Sequence, residues 1–165
     1  MFRNKFFTWC SVLALTAVAG LANESSNTWI RGIYTGQSPR PVATATETEA
    51  WQQAGTLADH TPRTFVIAGS GRSMQPLYAP GTVLVLQELA YPELKRGQTV
   101  LYRTKQQKVV AHVLVAKARD GWRVQGLNNP DHDPEPVLAE NLVGVVVGAF
   151  KPAAPDQQLR VASHL

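Results

Sequence analysis

The sequence predicts a mostly β fold: a compact, antiparallel domain with strongly coiled sheets, preceded by a hydrophobic helix at the amino terminus. From Thr64 onward, short apolar and β-branched runs alternate with turn residues, as strands and hairpins do. No helical period of any length interrupts that stretch. An uncharged segment behind basic residues predicts the helix.

In chain order, Arg3 and Lys5 precede a charge-free run from Phe6 to Ala22. Basic residues stay on the cytoplasmic side, so the rest of the chain is expected outside the cytoplasm. The run sits at the lower limit of a membrane span, roughly 17 residues. Ala17-Val18-Ala19 also fits a small-x-small cleavage site. Residues 1–22 are therefore either a retained membrane anchor or a signal peptide removed after residue 19 or 22, which leaves the domain membrane-bound or secreted. A buried core helix is the plainer alternative. Cys10, the only cysteine, lies in this run and reads as a small membrane-embedded side chain.

Residues 23–63 read as a linker rich in Thr, Ser, Ala, Gln and Pro. Ser38-Pro39-Arg40-Pro41 disfavours a helix there, and Thr44 to Leu57 could form a short one. Residues 64–152 form the β-domain and 153–165 a tail. Strands are expected at Thr64–Ala68, Thr82–Leu86, Thr99–Tyr102, Lys108–Ala116, Trp122–Gln125 and Leu142–Phe150. The breaks are Pro80-Gly81, Arg96-Gly97, Asp120-Gly121 and Asn128-Asn129-Pro130. Asp-Gly between two strand-like runs is a strong hairpin signal.

The chain's 165 residues, 44% of them hydrophobic, suffice for one core plus an extension. The net charge of +4 is thinly spread, with no run of Lys and Arg interleaved with aromatics. That pattern argues against a nucleic-acid partner. One cysteine cannot make an internal disulfide, and a metal site would need His and carboxylates.

The segment Ala68-Gly69-Ser70-Gly71-Arg72-Ser73-Met74-Gln75-Pro76 comes directly after a strand. Its glycines permit a sharp turn and close approach to a ligand. Met74 is expected to tuck inward and Pro76 to fix the exit, which would hold the Ser73 hydroxyl at the rim of a sheet. The turn could also place the Ser73 amide where an oxyanion develops. Composition alone favours a plain polar turn, since Gly and Ser dominate turns.

Downstream stand Pro80-Gly81-Thr82-Val83-Leu84-Val85, then Arg96-Gly97-Gln98-Thr99-Val100, then Val109-Val110-Ala111-His112-Val113-Leu114-Val115, then Gly126-Leu127-Asn128-Asn129-Pro130-Asp131-His132-Asp133. With Ser-Met-x-Pro, this ordered series resembles signal peptidase I. It is most similar to the Ser-His branch found in the endoplasmic reticulum, archaea and some Gram-positive bacteria. The resemblance runs from Phe65 to Phe150.

The resemblance implies a β-domain of signal peptidase type. Ser73 would be the nucleophile, His112 its general base, and Asp133, seven residues after Gly126, the carboxylate that assists the histidine. Met74 and Gln75 beside the nucleophile are the expected substrate contacts. Histidine suits the role chemically, because its ordinary pKa of about 6.5 needs little adjustment, whereas lysine starts near about 10.4. His112 can therefore serve in a more exposed groove. Taken alone, His112 reads as a strand histidine bonded to backbone, and Asp133 as a turn residue with Asp131 and His132 as competitors. Lys105, Lys108 and Lys117 are rival bases that read as solvated side chains.

The chain departs from the family where Gly-Asp is usual. It has Gly81-Thr82, Gly97-Gln98 and Gly126-Leu127, and Leu77 replaces the threonine after Ser-Met-x-Pro. The stretch between residue 22 and Ser73 is long for the family. The expected function is a membrane-associated serine endopeptidase that cleaves exported precursors or other extended peptides, with no metal or cofactor. The alternative is a catalytically weak or inactive peptide-binding or assembly module on the same fold. A related self-cleaving repressor or pilus-processing peptidase is a third reading. Export and the lack of a preceding helix-turn-helix argue against the repressor.

Overall fold

Branched and aromatic side chains pack well on a pleated surface, and the runs after Thr64 are built from them. The computed structural model describes residues 28–154. In chain order it has β1 (Trp29–Ile30), β2 (Ile33–Tyr34), β3 (Val42–Thr44), α1 (Glu47–Asp59), β4 (Thr64–Ala68) and β5 (Val83–Gln87). After a 3-10 turn at Tyr91–Glu93 come β6 (Thr99–Arg103), β7 (Val109–Ala118), β8 (Gly121–Gln125) and β9 (Leu142–Pro152). The fold is mostly antiparallel β with one α-helix among the described residues.

β1 and β2 make a small hairpin. The other strands form one sheet in the order β4-β5-β9-β6-β7-β8, with β3 added to β9. Every pair is antiparallel except β3 with β9. Strand β9 bridges the halves, since its later residues pair with β5 and its earlier ones with β6. The register shifts between Val85 and Leu86, between Leu101 and Tyr102, and between Leu114 and Ala116. Such bulges add twist and let a sheet coil.

Alternation along β6 divides the core. Leu101 packs with Met74, Leu77, Leu84, Val113 and Leu127 beneath the serine turn. Val100 and Tyr102 face the other way, among Leu114, Val124, Val137 and Val145.

The predicted strands are present; Thr64–Ala68 keeps its expected bounds, and the ends of the others move by at most two residues. The Asp120-Gly121 turn is displaced: Arg119 and Asp120 make the connection, and Gly121, with φ of 127°, opens β8 opposite Ala118. A left-handed glycine just after a turn is a common way to enter the second strand.

The larger difference concerns residues 23–63, expected as a linker. Their described part belongs to the domain. Ile30 and Ile33 join the core under the serine turn. Helix α1, two residues longer than expected at its C-terminal end, buries Ala50 and Ala54 against Val83, Val85 and Phe150. It starts at Thr46, whose hydroxyl accepts from the Glu49 amide at 3.1 Å, while Glu49 takes the Ala45 amide at 2.8 Å. The boundary set at residue 64 therefore cuts through the folded unit. The polar composition of this segment misleads because its helix buries only small alanines one helical turn apart and its hairpin contributes only Ile30 and Ile33 to the apolar core. The amino-terminal hydrophobic segment lies outside the described residues, as does most of the tail. No helix among the described residues is long and apolar enough to cross a membrane.

Candidate active site

Strand β4 delivers the chain into the serine turn, and backbone bonds hold that turn in shape. The Gly69 amide donates to Thr82 O at 2.9 Å, and the Gly81 amide to Gly69 O at 2.7 Å. One tight coil then forms, with Gln75 N donating to Arg72 O at 3.1 Å and Tyr78 N to Met74 O at 3.0 Å. The Gln75–Pro76 peptide is cis. Met74 and Leu77 are buried in the core below, as expected for Met74, and this leaves Ser73 at the rim. The Asn128 amide donates to Ser73 O at 2.7 Å, which ties the serine turn to the loop after β8.

His112 lies on β7 opposite Val100 of β6. On its other side, pairing with β8 stops at Val113 and Gln125, so Gly126 comes next, alongside His112. A Cβ on Gly126 would stand 2.8 Å from His112 Nε2 and 2.9 Å from Asn129 Nδ2. The missing side chain is what admits the imidazole. His112 Nε2 thereby comes within 3.0 Å of Ser73 Oγ. Its Nδ1 is hydrogen-bonded to Asp133 Oδ2. The Asp133 amide donates to Val124 O at 2.9 Å and anchors the carboxylate's backbone to β8.

Ser73, His112 and Asp133, the three residues to which the resemblance gave catalytic roles, are therefore brought together at one place. The histidine is more enclosed than expected: the side chains of His112 and Asp133 are only 6% and 11% exposed. The serine turn and the Gly126 loop close over it. Asp131 and His132 point to solvent. Of the rival lysines, Lys105 and Lys108 are exposed on the β6–β7 turn, and Lys117 lies against aromatic rings. Lys117 Nζ sits 5.9 Å from the Tyr91 ring and 6.0 Å from the Trp122 ring, and the Lys105 amide is bonded to Glu135 at 2.8 Å.

A groove of about 380 Å³ opens beside Ser73, lined by Ile67, Ser70, Met74, Leu101 and Ala111 among others. Met74 lines this groove, whereas Gln75 is half-buried and not among the lining residues. The groove lies between two backbone edges. Strand β4 is terminal in the sheet, and Val109–His112 extend past the last β8 pair. Tyr78 closes the floor; its hydroxyl donates to Pro39 O at 2.8 Å, and burial pushes its phenol above the ordinary range.

The departures from the family pattern have local accounts. Thr82 Oγ1 donates to Ala79 O at 2.7 Å, and Gln98 Oε1 accepts from the Lys95 amide at 2.7 Å. Each side chain braces its turn; the Gln98 oxygen accepts as an Asp carboxylate would, whereas the Thr82 hydroxyl donates. Leu127 is fully buried in the core beneath the serine turn.

Sequence reasoning missed Tyr102. Its hydroxyl donates to Asp133 Oδ2, the oxygen that also receives His112 Nδ1. Its one legible sign is parity: on the paired strands β6 and β7, Tyr102 and His112 are diagonal neighbours on one face, with ring centroids 6.4 Å apart.

A family model described as Peptidase S24-like matches residues 32–147, from the β1–β2 hairpin to β9. No curated protein matches the chain.

Proposed function

The chain belongs to the Peptidase S24-like family, and on that premise we propose that it is a serine endopeptidase of signal peptidase type that cuts extended peptides outside the cytoplasm. The family supports a serine-peptidase hydrolase at the coarse level. The observation that carries the finer reading is the contact of 3.0 Å between Ser73 Oγ and His112 Nε2 at the mouth of the groove.

The chemistry rests on the two ring nitrogens. Asp133 holds the proton on Nδ1, which leaves Nε2 free to accept. Ser73 Oγ passes its proton to Nε2 and attacks the scissile carbonyl. The Ser73 amide would meet the developing oxyanion. The protonated imidazole then gives its proton to the leaving amine. Water releases the acyl group from Ser73 by the same steps in reverse roles.

The substrate would lie in the groove as an added strand, since both flanking backbone edges offer ladder positions. The walls of Ile67, Leu101 and Ala111 suit small apolar side chains beside the cut. The extracytoplasmic setting and the attachment to a membrane rest on Arg3, Lys5 and the run from Phe6 to Ala22.

The test is cleavage of a secretory precursor by the purified protein. The parent chain is expected to cut after a small residue, and Ser73→Ala and His112→Ala to leave the precursor intact. Equal cleavage by the variants would overturn the mechanism. Binding without cleavage by the parent would favour the peptide-binding module.

A further inference from the structure

Tyr102 is a buried polar side chain that the mechanism above does not use. It is 2% exposed, in the middle of β6, among Val100, Leu114, Val124 and Val145. A phenol in such surroundings needs a partner for its hydroxyl, and Tyr102 spends it on Asp133. Burial first, then the Asp133 bond and charge, and then Glu135 push its phenol well above the ordinary range. The hydroxyl therefore stays protonated and can act only as a donor toward the carboxylate.

Asp133 sits in a loop, and its backbone tie to Val124 leaves the carboxylate free to turn about its own side-chain bonds. With His112 as sole partner, either oxygen could face the ring, or neither. A second donor from a strand removes that freedom, because Tyr102 and His112 are both held by the β6–β7 ladder. The remaining groups around this pair do not compete for it. Asp131 and His132 on the loop and Arg72 on the serine turn are exposed, and Glu135 takes the Lys105 amide.

We propose that Tyr102 is a positioning residue: its hydroxyl clamps Asp133 Oδ2 against His112 Nδ1, fixing the tautomer that turns a bare Nε2 toward Ser73. Tyr102 touches neither the substrate nor the reacting atoms, and acts through Asp133. The proposal rests on the reading of Ser73 and His112 as nucleophile and base.

Tyr102→Phe in the full chain tests it, since only the hydroxyl is lost and the ring still fills its site. With a cleaved peptide, kcat is expected to fall about tenfold with KM unchanged, the scale of one lost hydrogen bond to a charged group. In an Asp133→Ala background the same change is expected to add nothing, because the clamped carboxylate is already gone. A second measurement does not depend on turnover. The nitrogen-15 shifts of the His112 ring should report the Nδ1–H tautomer in the parent and a mixture of tautomers in Tyr102→Phe. Unchanged ring shifts in the variant, or a full additional loss in the Asp133→Ala background, would overturn the clamp. If no peptide is cleaved at all but the tautomer moves, the clamp stands and the peptidase reading falls.

Discussion

The two nitrogens of His112 face two differently made regions. On the Nε2 side lies the serine turn, held almost entirely by backbone: Gly69 to Thr82, Gly81 to Gly69, and Asn128 to Ser73. It opens onto the groove. On the Nδ1 side lies a nearly dry pair of side chains, Asp133 and Tyr102, drawn from a loop and from the middle of a strand. One region is shaped by where side chains are absent, the other by which side chains are present. A backbone frame leaves room for substrate, while interlocking side chains hold the base in one orientation.

That contrast predicts a graded set of effects. Ser73→Ala removes the group that reacts, so peptide cleavage should fall by at least about 10⁴-fold with circular dichroism unchanged. Asp133→Asn spoils the partner on the buried side, and kcat should fall by about 10³-fold. Gly126→Ala adds one methyl group where His112 Nε2 now lies, at 2.8 Å. Displacing the ring by a few tenths of an ångström or more should lower kcat about 10²-fold, with the melting temperature as a control. Full activity in Gly126→Ala would mean that the glycine does not set the Ser73–His112 approach. Ile33→Ala leaves the chemistry alone and removes a side chain packed under the serine turn. Urea unfolding should show a loss of about 2 kcal/mol, and a change near zero would return this segment to a linker. Asp131→Asn and His132→Ala, both facing solvent, should leave kcat within about twofold, and a larger loss from either would move the assisting group off Asp133.

The same contrast explains what the sequence made legible. A backbone frame leaves local marks, and Gly69, Gly71, Ser73, Met74 and Pro76 stand within one short segment. His112 and Asp133 became readable only through the ordered blocks that carry them, since a lone strand histidine or turn aspartate says little. Tyr102 left no mark of its own, because its role depends on strand register and on a loop 31 residues away. The β-domain after Thr64 was visible in its alternation. Residues 29–59 were not, because their buried positions are small alanines on a helix and a hairpin of two-residue strands. The meaning of Gly126 was partly visible, as the start of a block, but the imidazole it admits could only be seen once β7 and β8 were paired.

The central claim is that Ser73 is activated by His112. Labelling with a serine-directed fluorophosphonate, read by mass spectrometry, tests it without a known substrate. The account predicts one adduct, on Ser73, absent in Ser73→Ala and formed at least about tenfold more slowly in His112→Ala. No adduct on the parent chain, or equal rates for the parent and His112→Ala, would contradict it.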